Sequence, residues 1–236
     1  MLILAFDTST SRGSLALVAG DRLLAEYTLE SPASYLHRLM VGIDQIMADT
    51  GHTLPEVELI VVSSGPGNFT GLRLGLATAK GLALAQGCPV IGINTLDALA
   101  ANLPFCPYPL CPILDAKKHE IYAAFYESGA GWPARRGDYL LIRPADLARR
   151  LQTPTVLTGP GLERYGSFFH EELGSRMILP PPELRHVRAS VLARLGLAHY
   201  RAGQIPDLDT LTPFYLRPAD AEIRKPGLEA AAGPGD

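Results

Sequence analysis

VVSSGPGNFTGLRLGLATAKGLALAQG, residues 61–87, runs from an apolar strand through a glycine-rich turn into an apolar helix. That succession opens a βα unit of a sheet with helices on its faces, so the fold class is α/β. The turn has the outline of a phosphate cradle but not its chemistry. Gly65 and Gly71 are not followed by Lys-Ser or Lys-Thr, and the first lysine, Lys80, lies well inside the helix, which excludes a Walker A loop. Gly65-Pro66-Gly67 is followed by Asn68-Phe69-Thr70, so Thr70 stands where the dinucleotide pattern has its third glycine. Pro66 also removes an amide that a phosphate would need. Only the bare helix N-terminus remains as an anion site.

The helix says more than the turn. Between residues 70 and 86 only Thr70, its expected cap, and Arg73, Thr78, Lys80 and Gln86 are polar, whereas a surface helix carries a polar half. It must therefore be covered on more than one side. Gly71, Gly75 and Gly81 each cost about 0.5–1 kcal/mol relative to alanine in a helix interior, a penalty that close packing has to offset. Gly71, Gly75 and Ala79, four residues apart, form a smooth stripe that suits either the sheet beneath or a helix of a partner.

Outward from this unit, LILAFD, GSLALV and RLLAEYTL read as three consecutive strands, with Gly20-Asp21 as a hairpin turn. Leu36, Leu39, Met40, Ile43, Ile46 and Met47 recur at helical spacing between residues 34 and 51, with Ser34 as N-cap. The stripe suits a core, and its methionines also suit an adaptable contact surface. VELIVVSS is a strand, VIGIN another, and Thr95 is the expected cap of a short helix LDALAANL. The four prolines of PFCPYPLCP mark a boundary. LCPILDA, EIYAAFYE and YLLIR then read as strands, PADLARRL as a helix, TVLTG as a strand, residues 161–173 as a helix, RMILP as a short strand and residues 188–202 as a long helix. Two β-β-β-α-β-α subdomains are expected, 1–105 and a reduced 106–225, with a ligand cleft between them, the last helix packing back on the first, and a disordered tail 226–236.

A chain of 236 residues can bury a sizeable core, and 47% hydrophobic with 19% charged residues is ordinary for a globular protein. A net charge of −3 supplies no global attraction to nucleic acid. Cys88, Cys106 and Cys111 are odd in number and need no disulfide framework, which points to a reducing cytoplasm. They lack CxxC spacing, the six histidines lack HxxxH or HExxH spacing, and no serine sits in GxSxG, so metal and hydrolase signatures are missing. MLILAF, followed at once by Asp7, is too short for a leader or a membrane span. The basic pairs Arg135-Arg136, Arg149-Arg150 and Arg224-Lys225 read as solvated faces.

One polar cluster remains. Asp7, Thr8, Ser9 and Thr10 follow the first strand, where a kinase or ATPase orients magnesium and phosphate; the alternative is a hairpin turn whose side chains bond local amides. Asp115 is its counterpart in the second half, followed by Ala116-Lys117-Lys118 with no glycine.

ILAFDTSTSRGSLAL, SSGPGNFTGLRLGLATAKGLA, PVIGINTLDALA, ILDAKKHEIYAAFY and PFYLRPAD together resemble the bacterial TsaB (YeaZ-like) family, up to about Pro218. The resemblance implies the sugar kinase/Hsp70/actin fold and a non-catalytic role beside TsaD, the transferase that completes threonylcarbamoyladenosine in tRNA, with the ATPase TsaE engaging the pair. It also implies that the partner contact uses the helices matching 34–49 and 70–86. Leu36, Leu39, Met40, Ile43, Met47, Phe69, Gly71, Leu72, Arg73, Gly75, Leu76, Ala79 and Lys80 are the expected contact residues. Without its partner the chain is expected to form a homodimer. TsaD-like proteins hold their metal with a helical HxxxH pair, which is absent here, and Asp7-Thr8-Ser9-Thr10 lacks the glycine of a superfamily phosphate loop. Gly159 and Gly161 only faintly resemble the adenosine motif. Nucleotide binding is thus expected to be weak, no cofactor is expected, and the alternative function is a stand-alone small-molecule kinase or ATPase.

Overall fold

In the computed structural model, which describes residues 1–30, 35–127 and 131–217, the apolar run LILAFD forms β1 (Leu2–Asp7), buried along its whole length. Burial on both faces is why this strand shows no alternation. β2 (Arg12–Ala19) and β3 (Arg22–Glu30) follow antiparallel, α1 (Tyr35–Thr50) crosses over, and β4 (Val57–Gly65) returns parallel to β1. α2 (Phe69–Gln86) leads to β5 (Val90–Asn94), parallel to β4, and α3 (Thr95–Ala101) closes the unit. The strand order is β3-β2-β1-β4-β5.

The second half repeats it. β6 (Leu110–Asp115), β7 (Ile121–Glu127), β8 (Ala134–Ile142), α4 (Pro144–Arg150), β9 (Thr155–Thr158), α5 (Gly161–Leu173) and β10 (Met177–Ile178) give the order β10-β9-β6-β7-β8. Each half thus pairs an antiparallel three-strand meander with parallel βα units. The long final helix, α6 (Ala189–Arg201), lies on the first sheet.

Three apolar layers hold the stack together. Leu4, Phe6, Ile43, Ile60 and Leu76 pack α1 and α2 on one face of the first sheet, and Ile113, Leu147, Leu157 and Phe169 pack α4 and α5 on the outer face of the second. Between the sheets, Ile3, Val61 and Ile93 of the first and Leu110, Leu114 and Tyr126 of the second share one core with α3 and α6. That core is continuous across residue 105. Gly196 sits where a Cβ would come within 2.3 Å of Val61 Cγ2, so the helix axis lies close to β4. Glu26 of β3 anchors the start of α6: its carboxylate accepts hydrogen bonds from Arg188 Nη2 (2.5 Å), Ser190 N (2.9 Å) and Ser190 Oγ (2.8 Å). A carboxylate on the exposed amides of a helix N-terminus also complements its dipole.

Two caps differ from expectation. Asn68, not Thr70, caps α2, its Oδ1 accepting from Gly71 N at 2.8 Å. Asn94, not Thr95, caps α3 by accepting from Leu96 N at 2.9 Å, while Thr95 is buried as the first helical residue. Asn accepts an N-terminal amide as well as Thr does, and in both places it precedes the threonine. Ser34 and the 226–236 tail lie outside the described residues.

Candidate functional site

Strand alternation sets where each carboxylate can act. Ile3 and Ala5 face the layer between the sheets, so Asp7, two residues on, shares their side; in β6, Cys111 and Ile113 face α5, and so does Asp115. The two carboxylates therefore do not converge on one cleft. This departs from the expected shared site and follows from a one-residue difference in parity between the halves.

The turn after β1 is closed. Asp7, Thr8, Ser9 and Thr10 are all buried. Asp7 Oδ1 accepts from Ser9 N (2.9 Å), Ser9 Oγ (2.6 Å) and Ser63 Oγ, and Thr8 Oγ1 donates to Gly71 O at 2.7 Å. The N-terminal end of α2 occupies the space above. A Cβ on Gly71 would sit 2.0 Å from Thr8 O, one on Gly75 2.3 Å from Thr8 Oγ1, and one on Gly67 2.3 Å from Ser9 O. Asn68 N completes the closure by donating to Ser9 O at 2.7 Å. Burial pushes the Asp7 carboxyl above its ordinary range, against the pull of hydrogen bonds from Ser63 and Ser9. Asp7 Oδ1 bonds the local Ser9 amide as a turn does, Thr8 and Ser63 bond across the chain, and Asp7 Oδ2 is buried without a hydrogen-bond partner.

The corresponding turn after β6 is open. Lys117, Lys118 and His119 all adopt left-handed φ, 61°, 49° and 62°, and are exposed. Asp115 is held by Lys117 N (2.8 Å), Lys117 Nζ (2.9 Å) and Arg164 Nη1 (3.2 Å). Partial burial works to raise its pKa, but the bonds from Lys117 and Arg164 prevail and hold the carboxyl below the usual range. Gly159 and Gly161 serve chain packing: a Cβ on either would come within 2.4 Å and 2.8 Å of Ile113 O. Cys111 is buried among α5 contacts, where desolvation pushes its thiol up to about 12, and among the described residues no three His, Cys, Asp or Glu side chains cluster as metal ligands.

The expected contact residues divide. Leu39, Ile43 and Met47 of α1 and Gly71, Leu72, Gly75, Leu76 and Ala79 of α2 are buried in the chain's own core, and Met40 and Lys80 are half-buried. The Gly71/Gly75/Ala79 stripe is therefore an internal seam against Thr8 and β4, not a docking surface. Its glycines admit the β1–β2 turn. The side chain of Leu36 lies outside what is described. Phe69 and Arg73 are exposed, and the outer face continues through Gly81, for which the sequence reading expected close packing, and through residues it passed over: Ala77, Leu84, at 74% exposure, and Val41 of α1, at 51%. Gly81 has nothing within 4 Å of a built Cβ, so no contact inside the chain offsets its helix penalty.

The sequence reading also missed the strap formed by residues 204–217. Leu208 and Leu211 pack on the first half, Phe214 N donates to Ser64 O at 2.7 Å, the Phe214 ring meets Tyr139 edge-on at 5.3 Å, and Arg217 Nη1 donates to Ala116 O at 2.8 Å. These contacts bridge the halves where the open cleft was expected. Gly65, at φ 119°, lets the strap in: a Cβ there would lie 2.5 Å from Phe214 O.

Two sheets of one strand order around a shared helical layer, with the first turn sealed by its own helix, define a two-lobed α/β protein of the actin/Hsp70/sugar kinase type. Residues 29–147, half of the chain, match the family model described as TsaD, tRNA N6-adenosine threonylcarbamoyltransferase. The chain belongs to this family, in its TsaB (YeaZ-like) branch. It is 38% identical to the tRNA threonylcarbamoyladenosine biosynthesis protein TsaB of Haemophilus influenzae, covering 97% of this chain and 99% of that one. A Pseudomonas aeruginosa protein described as similar to peptidase YEAZ superposes with a TM-score of 0.77 at 26% identity, over 92% of this chain and 99% of that one. The activator of 2-hydroxyisocaproyl-CoA dehydratase from Clostridium difficile, solved with bound ADPNP, shares the fold alone: TM-score 0.54, 11% identity, 86% and 97% coverage. Among the described residues no helix is long and apolar enough to cross a membrane.

Proposed function

We propose that the chain is a non-catalytic subunit in the formation of N6-threonylcarbamoyladenosine on tRNA. It docks the outer face of α1 and α2 on a TsaD-like transferase, and a TsaE-like ATPase engages the pair. The relatives' function supports the pathway, and the observation that carries the role is the outer face itself. Val41, Phe69, Ala77, Gly81 and Leu84 leave an apolar, small-residue surface in water, which is costly unless covered. The match of residues 29–147 to the transferase model covers both helices, so partner and chain offer related faces, and the same surface supports a homodimer when the partner is missing. The non-catalytic reading is favoured by the burial of the Asp7 cluster beneath α2, where Asp7 Oδ1 is bonded to Ser9 and Ser63 and Oδ2 is enclosed without a partner. A stand-alone kinase or ATPase needs those groups in the open. On this reading the chain has no cofactor of its own, any ADP or ATP it holds is weakly bound, and tRNA is met through the complex.

The test is reconstitution of threonylcarbamoyl transfer with and without this chain, and with Leu84→Asp. Transfer should fall to the level without the chain when Leu84→Asp is used, and its thermal unfolding should match wild type. Unchanged transfer when the chain is omitted would remove the proposal.

A further inference from the structure

At the amino end of α2 the strap and the outer face meet. Tyr215 stacks on Phe69 with ring centroids 5.2 Å apart and planes 26° from parallel. The Arg73 guanidinium carbon lies 3.8 Å from the Phe69 ring centroid, and Arg73 Nε donates to Tyr215 Oη at 3.0 Å. The three side chains close a triangle. Each is held from a different point: Phe69 and Arg73 by successive turns of one helix, and Tyr215 by the strap, pinned on one side through Phe214 to Ser64 and on the other through Arg217 to Ala116 and Glu120.

The triangle is too open to be core. Phe69 is 38% exposed and Arg73 is exposed, and among the described residues no carboxylate lies within ion-pair distance of Arg73. Aromatic and arginine side chains held rigid beside an apolar surface are the composition of an interface anchor, because their rotamer entropy has already been lost before binding. With Nε used by Tyr215, the terminal Nη groups are the donors left for a partner, and a carboxylate is the acceptor that matches them.

We infer that the docking surface is composite: Tyr215, from the far end of the chain, completes the α2 face by fixing Phe69 and Arg73 as an anchor for an acidic, partly apolar patch on the transferase. This rests on the proposed pairing. It adds a positioning residue that lies outside both helices, and it makes the second half, through the strap, a contributor to an interface otherwise assigned to the first.

The experiment is calorimetric titration of the full chain with its transferase, at two salt concentrations, for wild type, Tyr215→Ala, Tyr215→Phe, Arg73→Gln and Leu84→Asp, each checked by thermal unfolding. Tyr215→Ala should weaken pairing about tenfold or more, and Tyr215→Phe, which keeps the stack and loses the bond to Arg73, by a smaller factor. Arg73→Gln should weaken pairing and flatten its salt dependence, as loss of a charged contact requires. If Leu84→Asp abolishes pairing while both Tyr215 variants pair as wild type, the composite surface is wrong and the pairing proposal stands. If Leu84→Asp also pairs as wild type, the pairing face itself is wrong. Should Tyr215→Ala unfold, Tyr215→Phe decides: wild-type affinity and salt dependence in that variant overturn the inference.

Discussion

The turn after β1 and the turn after β6 occupy the same place in two sheets of the same strand order, and they are built in opposite ways. In the first, small residues let α2 settle onto the chain until Asp7 and three hydroxyl-bearing neighbours are sealed. In the second, Lys117, Lys118 and His119 stand out on left-handed backbone and Asp115 is tied by cations. The contrast shows that one position in a repeated topology can be built in two ways: here one copy supports a helix and the other is an exposed basic turn.

The sharpest way to break the contrast is to add one methyl group to each half. Gly71→Ala and Gly159→Ala both drive a Cβ into backbone oxygen, Thr8 O or Ile113 O, which cannot rotate away. Each should cost about 3 kcal/mol or more in urea unfolding. A loss under 1 kcal/mol for Gly71→Ala would mean that the first turn is not sealed. Next in size, Glu26→Ala strips α6 of its anchor and leaves Arg188 and Ser190 unpaired, an expected loss of about 2 kcal/mol. Because the central core is shared, the transition should stay single by circular dichroism and fluorescence; two transitions would separate the halves.

The two carboxylates should respond to pH with opposite sign. Asp7 is raised from 3.8, so its contribution is complete below that value and is lost as pH climbs through the folded-state pKa; Asp115 is lowered from 3.8, so its contribution is present above that value and is lost as pH falls. Stability of Asp7→Asn should thus decline less than wild type as pH is raised above about 4, and Asp115→Asn should decline less as pH is lowered below it. Urea midpoints between pH 2.5 and 7 check both, and identical slopes for wild type and Asp7→Asn would contradict the burial argument. The smallest effect is the most discriminating. Gly81→Ala and Gly166→Ala both add a methyl group to open space in a helix and should stabilise by about 0.5–1 kcal/mol. Only Gly81→Ala should also weaken transferase pairing, since only its helix lies on the proposed pairing face.

Much of this was legible in the residues because local periodicity reports strands and helices directly. The doubled meander, the near-featureless α2 and the missing phosphate-loop glycines could all be read along the chain. What could not be read was which side of α2 the glycines faced. Gly71, Gly75 and Ala79 make the same smooth stripe whether it meets Thr8 or another protein, and only the tertiary contact chooses. Leu84 and Gly81 were available as the complementary signal, since they lie on the opposite side of the same helix. The strap was hidden for a different reason: its contacts with Ser64, Phe69 and Ala116 span about a hundred residues or more, and PFYLRP has no periodicity to announce them.

Helix α6 covers the first sheet yet is synthesised after the whole second half. A ribosome therefore releases Ile3, Val61 and Ile93 long before Ala189, Leu192, Ala193 and Leu197 arrive to share their core. For that interval α3 is the only helix of the central layer available to them, and a nascent chain stalled before Ala189 should remain open to protease where the finished chain is closed. The order of manufacture thus leaves one face of the first sheet without its α6 cover until the second half has been made.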